Sequence, residues 1–486
     1  MSIPAEAFVL PPATRGSLQQ RIRQMVIEGV LAGRFRAGQK LPSSRGLAAH
    51  LVVSRLTVTL AYAELVSSDY LTARGRSGYF ISDTAPMAME LPALSARAEA
   101  GDFARLSRNR YSGQARVARP RDWEDYDFQF IYGQADAALF DHQNWRQCAV
   151  RALGKRDFAA MTQDYYDGDD PLLIEYLLRQ ILPRRGIAAR EDEVLLTLGA
   201  QNALWIAAQS LLGPGRRAVM ENPGYPGLRS ILVASGAEIV SVDVDAEGLP
   251  PDALPKRTDV VFTTASHQCP TNATMPLSRR RALLEAAERD GFVIVEDDYE
   301  FEMSFLKPVS PALKSLDTGG RVLYAGSFSK SVFPGMRLGY LVGPPSFIRE
   351  ARALRLMSLR HPPGHIQRTL AYFLSLGHYD ALITRMRSAY RRRRQVMEEA
   401  IAEQGLRVAG QGGFGGSSIW MRAADGVDSE VLAERLRGVG VLIEPGRAFF
   451  DPERPRTEFY RLGYSSIAVN RIPEGVARIA AGLRGL

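Results

Sequence analysis

The chain has 486 residues, more than one hydrophobic core usually organises, so at least two folding units are expected. Hydrophobic residues make up 46 % and charged residues 23 %, a globular composition that excludes disorder as the main state. The net charge of +8 favours polyanionic partners, and two cysteines, Cys148 and Cys269, exclude a disulfide framework or a cysteine-built zinc site. The opening MSIPAEAFVLPPATRG lacks the basic and apolar regions of a signal peptide, and no apolar run reaches the roughly 20 residues that span a bilayer. The expectation is a protein of the reducing cytoplasm with no membrane partner.

Residues 15–83 form the first unit. In GSLQQRIRQMVIEGVLAGRF, Leu18, Ile22, Met25, Val26 and Val30 recur at helical spacing and predict one amphipathic helix. KLPSSRGLAAHL supplies a proline turn, a Ser43/Ser44 cap and a short second helix, and Ser54 caps a third in VSRLTVTLAYAEL. Two helices joined by about three residues have helix-turn-helix proportions. YLTARGRSGYFISD reads as two strands around a basic tip, a wing. Arg55, Thr57 and Thr59 fall on the early turns of the third helix, where base edges and phosphates are met, and Ser44, Arg45, Arg74 and Arg76 are placed to serve phosphates or the minor groove. Double-stranded DNA is the expected partner of this head.

Between 84 and 125 the pattern dissolves into Ala, Pro, Arg and Ser with broken helical pieces such as Pro92 to Gly101, and is read as a linker. From 126 to 486, short apolar runs alternate with helical stretches: VLLTL at Val194, RAVME at Arg217, EIVSVDV at Glu238, DVVFTT at Asp259, FVIVEDD at Phe292 and RVLYAG at Arg321. Such a pattern predicts a parallel α/β sheet. A basic helix from about Ala389 then leads into mixed strands, a smaller α+β subdomain.

Lys330 stands in SFSKSVFPGMRLG between two serines, with an arginine and glycines behind it. Upstream, FVIVEDDYE ends a strand in acids and puts Asp297 where α/β proteins bind ligands. LTLGAQNALWIAAQ is a strand, a turn and a helix whose free N–H groups can hold a phosphate. Together these meet the needs of pyridoxal 5′-phosphate. Lys330 supplies the amine, Asp297 the carboxylate for the pyridine nitrogen and Tyr299 a phenol near the ring oxygen. Gly199, Ala200, Gln201, Ser327, Ser329 and Arg337 form the phosphate cup, Arg337 through charge-assisted bonds.

The head, KLPSSRGLAAHLVVSRLTVTLAYAEL above all, resembles the winged helix-turn-helix of the GntR regulators, and the stretch from Tyr126 onward resembles fold-type I aminotransferases. The two joined by a linker are similar to the MocR/GabR family, with ENPGYPG, SHQCPTNATMPLSRRR, VEDDYE and FSKSVFPGMRLGYLV as its hallmark segments. The fold class implied is a winged helix-turn-helix head plus an α/β fold-type I aminotransferase-like domain with a smaller C-terminal α+β subdomain. The resemblance adds Tyr225 near the ligand and Arg461 as the grip on an effector's carboxylate. It also implies a head-to-tail homodimer.

Four departures stand out. Val52 replaces the usual glycine of the helix-turn-helix, and the cost of a β-branched residue at positive φ predicts a different turn geometry. Cys269-Pro270-Thr271-Asn272 lacks the asparagine that normally meets the ring oxygen, which shifts that task to Tyr299. Asp170 and Ile174-Glu175 replace a glycine and a Leu-Arg pair, and Ser466 stands where some relatives carry an effector-binding arginine.

The function implied is transcriptional regulation: a small amino compound is sensed by external aldimine formation on the cofactor, and the genes controlled are those of taurine or ectoine-type amine catabolism. Three rivals share the same residues: a working aminotransferase with an accessory DNA-binding head, a regulator that senses the cofactor itself, and a structural adaptor with a dead pocket.

Overall fold

The computed structural model describes residues 2–10, 16–86, 112–114, 117, 119–134, 136–164 and 168–485, the side chain of Arg76 excepted. Most of the expected linker, including Pro92 to Gly101, lies outside the described residues. The chain divides into two units, Met1–Asn109 and Arg110–Leu486.

In the first unit, α1 (Leu18–Leu31) opens on a capping box formed by Ser17 and Gln20. Its buried face is Ile22, Met25, Val26 and Val30, while Leu18, expected on that face, is exposed. Ser43 caps α2 (Ser44–Leu51) by accepting from Gly46 N at 3.0 Å, which makes Ser44 the first helical residue. Ser54 caps α3 (Arg55–Ser67) by accepting from Thr57 N at 3.1 Å. Strands β1 (Leu71–Ala73) and β2 (Tyr79–Ile81) pair antiparallel as the wing. The core extends beyond these elements: Ile3 and Phe8 are buried in it, and Phe8 packs on Phe35 with ring centroids 4.8 Å apart.

The turn between α2 and α3 corrects one expectation. Val52 adopts the left-handed conformation after all, at φ 55° and ψ 46°. The helix end requires that geometry to return the Val53 N–H to Ala48 O at 3.1 Å, and the side chain escapes crowding by pointing into solvent, 90 % exposed.

In the second unit a short strand, β3 (Phe128–Gln129), precedes the main sheet. That sheet contains β4 (Val194–Thr197), β5 (Arg217–Asn222), β6 (Glu238–Asp243), β7 (Val260–Thr263), β8 (Val293–Asp298), β9 (Val322–Ser327) and β10 (Gly339–Val342), in the order β4-β10-β9-β8-β7-β5-β6. Every residue of β4, β7, β9 and β10 is buried, which is why these runs are apolar without alternation. The sheet is not wholly parallel, since β10 runs antiparallel to both β9 and β4. Only residues 328–338 join β9 to β10, too few for the crossover a parallel pair needs, so the chain turns straight back. Lys330 sits in that turn.

The smaller subdomain holds β11 (Arg407–Val408), β12 (Ser418–Arg422), β13 (Val441–Leu442), β14 (Glu444–Pro445) and β15 (Phe459–Gly463). Strands β11, β12, β15 and β14 form one antiparallel sheet, and β13 pairs in parallel with β3. The basic helix begins earlier than expected, at His378, and runs to Glu403. Its arginine run is partly interior: Arg393 and Arg394 are buried, Arg393 bonding Asp136 and Ser465 O, and Arg394 donating to Gly415 O at 3.0 Å. Among the described residues no helix is long and apolar enough to cross a membrane.

Candidate functional site

The carboxyl ends of β4, β5, β8 and β9 open on one cavity of about 570 Å³. Ala200, Gln201, Tyr225, Asp297, Tyr299, Ser327, Ser329, Lys330, Arg337 and Arg461 all line it, so residues far apart in the chain are brought together. Gly199 lies just behind, at φ 78° as the N-cap of the helix Ala200–Leu211. That backbone conformation is what favours glycine, and a β-carbon would sit at ordinary contact distance from its neighbours, 3.4 Å from Arg337 Nη2 and 3.5 Å from Ser329 Oγ.

Those contacts also show that the Gly199 turn, Ser329 and Arg337 surround one spot. Arg337 is exposed and donates to Leu198 O at 3.1 Å. Ser327 Oγ accepts from Ser329 N at 3.1 Å, while Ser329 Oγ is enclosed without a protein partner. A helix start, an arginine and an unsatisfied hydroxyl make a cradle for a phosphate-sized anion.

Asp297 is the penultimate residue of β8, with its Oδ1 enclosed and unpaired. Burial first, then Asp298 and Glu221, push its carboxyl up to about 8. Its neighbour Asp298 is paired through Oδ2, which accepts from Arg185 Nε at 2.6 Å and the Tyr324 hydroxyl at 2.8 Å, while its Oδ1 is also unpaired. Among the described residues Asp297 makes no ion pair, which leaves a buried carboxyl that a cationic group could pair with. Tyr299 donates its hydroxyl to His267 O at 2.9 Å, and burial raises its pKa.

Burial draws the Lys330 amine down to about 8, against the opposing pull of Glu300. Nζ lies 4.2 Å from the centre of the Tyr132 ring, and Arg461 Cζ lies 4.0 Å from that same ring centre. Arg461 donates from Nε to Glu444 Oε2 at 2.8 Å. Burial lowers its pKa, but Glu444, Cys269 and Tyr132 together more than offset that, so the guanidinium is held charged.

The departures resolve as follows. Cys269 lines the cavity, its thiol pushed up to about 12 by burial. Asn272 turns away and donates to Ser418 O at 2.6 Å. Asp170 caps the helix Pro171–Tyr176 and pairs with Arg368 Nε at 2.7 Å, a structural role.

Among the cavity residues that sequence reasoning missed are Arg119, Tyr132, Gly133 and Glu444. Arg119 fell in the stretch read as linker, and Tyr132 and Gly133 belong to FIYGQAD, whose glycine was the one available signal.

In the head, Arg45 and Arg55 are exposed, and Ser44, Thr57 and Thr59 are half-buried. Thr57 Oγ1 is 2.7 Å from Ser54 Oγ, and Thr59 Oγ1 donates to Arg55 O at 2.9 Å, so both hydroxyls are locally engaged. Arg74 stacks 4.7 Å over the Phe80 ring and lies 3.7 Å from Asp83. Arg76 belongs to the turn Gly75–Ser77 at the tip of the wing. Leu56 and Leu60 add an exposed apolar edge to α3.

Residues 18–81 match the gntR family of bacterial regulatory proteins, and residues 147–479 match aminotransferase class I and II. The chain is 64 % identical over 484 residues to the HTH-type transcriptional regulator TauR of Rhodobacter capsulatus, covering 100 % of both chains. It is 30 % identical over 467 residues to the probable rhizopine catabolism regulatory protein MocR of Rhizobium meliloti, covering 94 % of this chain and 92 % of that one. The crystal structure of α-aminoadipate aminotransferase LysN from Thermus thermophilus, complexed with N-(5′-phosphopyridoxyl)-L-leucine, has a TM-score of 0.71 at 27 % identity. It covers 79 % of this chain and 98 % of that one.

Proposed function

This chain belongs to the MocR/GabR family of transcriptional regulators, a GntR-type winged helix-turn-helix fused to an aminotransferase-like domain, and on that premise we propose that it couples an amino-compound effector to operator binding through pyridoxal 5′-phosphate. One observation carries the reading: an amine, an unpaired carboxyl, an anion cradle and a guanidinium line the same cavity. Each matches one need of that cofactor or its ligand. When bound, the cofactor supplies an electrophilic carbon at which an effector amine can replace Lys330.

The protein's own groups do the rest. Asp297 holds a proton on the ring nitrogen, and Ser327, Ser329, Arg337 and the Gly199, Ala200 and Gln201 turn take the phosphate. Tyr299 would supply the phenol near the ring oxygen. With a pKa near 8, Lys330 has an appreciable neutral fraction near neutrality and can attack or accept a proton. Tyr225 walls the ligand side, and Arg461 grips an anionic end. The effector is a short amine of the taurine or ectoine-derived kind, a reading supported by the identity to TauR.

Effector binding acts on the DNA side by favouring one arrangement of the heads over another. Arg55, Thr57 and Thr59 face the major groove, while Ser44, Arg45, Arg74 and Arg76 serve the backbone and minor groove. A head-to-tail homodimer presents two heads to two half-sites.

The test begins with borohydride reduction of the cofactor-loaded protein and mass mapping. The label is expected on Lys330 and absent in Lys330→Ala. Amines are then screened for a change in cofactor absorbance, and each hit for a change in operator affinity. No label on Lys330, or hits without any effect on DNA, would reject the reading. Steady-state assays with amino donors and keto acids separate a regulator from a working aminotransferase built on the same site.

A further inference from the structure

Glu444 stands between two guanidinium groups. Its Oε2 accepts from Arg461 Nε at 2.8 Å, and its Oε1 lies 3.9 Å from Arg119 Nη2. Glu444 and Arg461 are enclosed, at 4 % and 6 % exposure, whereas the Arg119 side chain keeps 33 % of its surface open. All three line the cavity that holds Lys330.

Charge balance decides what this corner can bind. Arg461 and Glu444 form a contact pair that is nearly neutral as a unit, so by itself it offers an incoming anion little more than hydrogen bonds. Arg119 supplies the charge left over. Its closer neighbours are carbonyl oxygens: Nη2 donates to Tyr132 O at 3.2 Å, and the Gln134 side-chain oxygen, turned toward the guanidinium, accepts from Nη1 at 2.6 Å. Carbonyls orient a guanidinium without neutralising it.

Distance limits the ligand as well. The Lys330 amine and the Arg461 guanidinium are 4.2 and 4.0 Å from the centre of one ring, that of Tyr132. A molecule that meets both ends needs only a few carbons.

We propose that Arg119 is a specificity-determining residue: with Arg461 it grips the single anionic group of a short amine, and Glu444 spaces the two arginines and holds the net charge of the corner at one. The amine arm of this inference rests on the proposed exchange at Lys330. The anion arm does not.

The experiment uses the full-length protein loaded with pyridoxal 5′-phosphate. Calorimetric titration with 2-hydroxyethanesulfonate, an anion without an amine, is expected to show binding that weakens at least about tenfold in Arg119→Gln and less in Arg119→Lys. Equal affinity in wild type and Arg119→Gln, or no binding to wild type, overturns the proposal. Cofactor absorbance is then followed with taurine and with ethylamine. Arg119→Gln is expected to raise the half-saturating taurine concentration by a similar factor and leave ethylamine unchanged, and equal loss for both amines overturns the proposal in favour of a structural role. If neither amine alters the wild-type spectrum while the sulfonate titration still depends on Arg119, the exchange reading falls and the anion site stands. Arg119→Lys keeps the test open if the glutamine variant fails to fold.

Discussion

A β-carbon on Gly133 would stand 2.0 Å from the Nζ of Lys330 and 3.1 Å from its Cε. No rotamer change at position 133 avoids that contact, because the β-carbon is fixed by the backbone, and φ 72° already disfavours any side chain. Gly133→Ala is therefore expected to shift the end of the lysine and lower the yield of borohydride-trapped cofactor while leaving operator binding by the head measurable. Full labelling of Lys330 in the variant would show that the wall yields more easily than the geometry implies.

Asp297 gives the cofactor-free protein a pH signature. Its folded-state pKa, about 8, exceeds the ordinary 3.8. A carboxyl raised in this way contributes stability fully below its unfolded value and loses it as pH rises through the folded value. The wild-type large domain should accordingly melt at lower temperature as pH climbs between those two values, and Asp297→Asn should flatten the fall. Added cofactor, which places a cation beside the carboxylate, should flatten it too. Parallel melting curves for wild type and variant would sink this account.

Arg337 reaches the cradle from the far side of the Lys330 loop, close to the Gly199 turn and Ser329. Its removal should weaken pyridoxal 5′-phosphate binding by about 2 kcal/mol, with Arg337→Lys intermediate because a point charge replaces a fork. Equilibrium dialysis of the cofactor measures this directly, and an unchanged dissociation constant would place the phosphate elsewhere.

Val52 holds a left-handed conformation that costs a β-branched residue roughly 1–2 kcal/mol. Val52→Gly relieves that strain, partly offset by the greater freedom of glycine in the unfolded chain. Calorimetry of the head transition should show a net gain of about 1 kcal/mol. A lower transition temperature in the variant would mean the turn is unstrained.

The sheet and much of the site could be read from sequence because their signals are local. An apolar run ending in acids locates Asp297, and a strand, glycine and helix in succession locate Gly199 and Gln201. The direction of β10 was not local in this sense: it depends on how few residues join it to β9. Nothing local in the arginine run marks Arg393 as buried, because its partners, Asp136 and Ser465, lie far away in the chain. Arg119, Tyr132, Gly133 and Glu444 escaped for the same reason. The first three become part of the site only when β3 pairs with β13 and carries the early segment into the C-terminal subdomain, where Glu444 already lies beside Arg461.

That pairing has a mechanical consequence. Phe130 N bonds Leu442 O at 2.9 Å on one side, and Gly463 N bonds Phe130 O at 3.0 Å on the other. The main chain leading from the head is thus stitched to β15, the strand that bears Arg461, immediately before it reaches Gly133. The strand that carries Arg461 is therefore held on three sides, by β12, by β14 and by the segment that follows the linker in the chain.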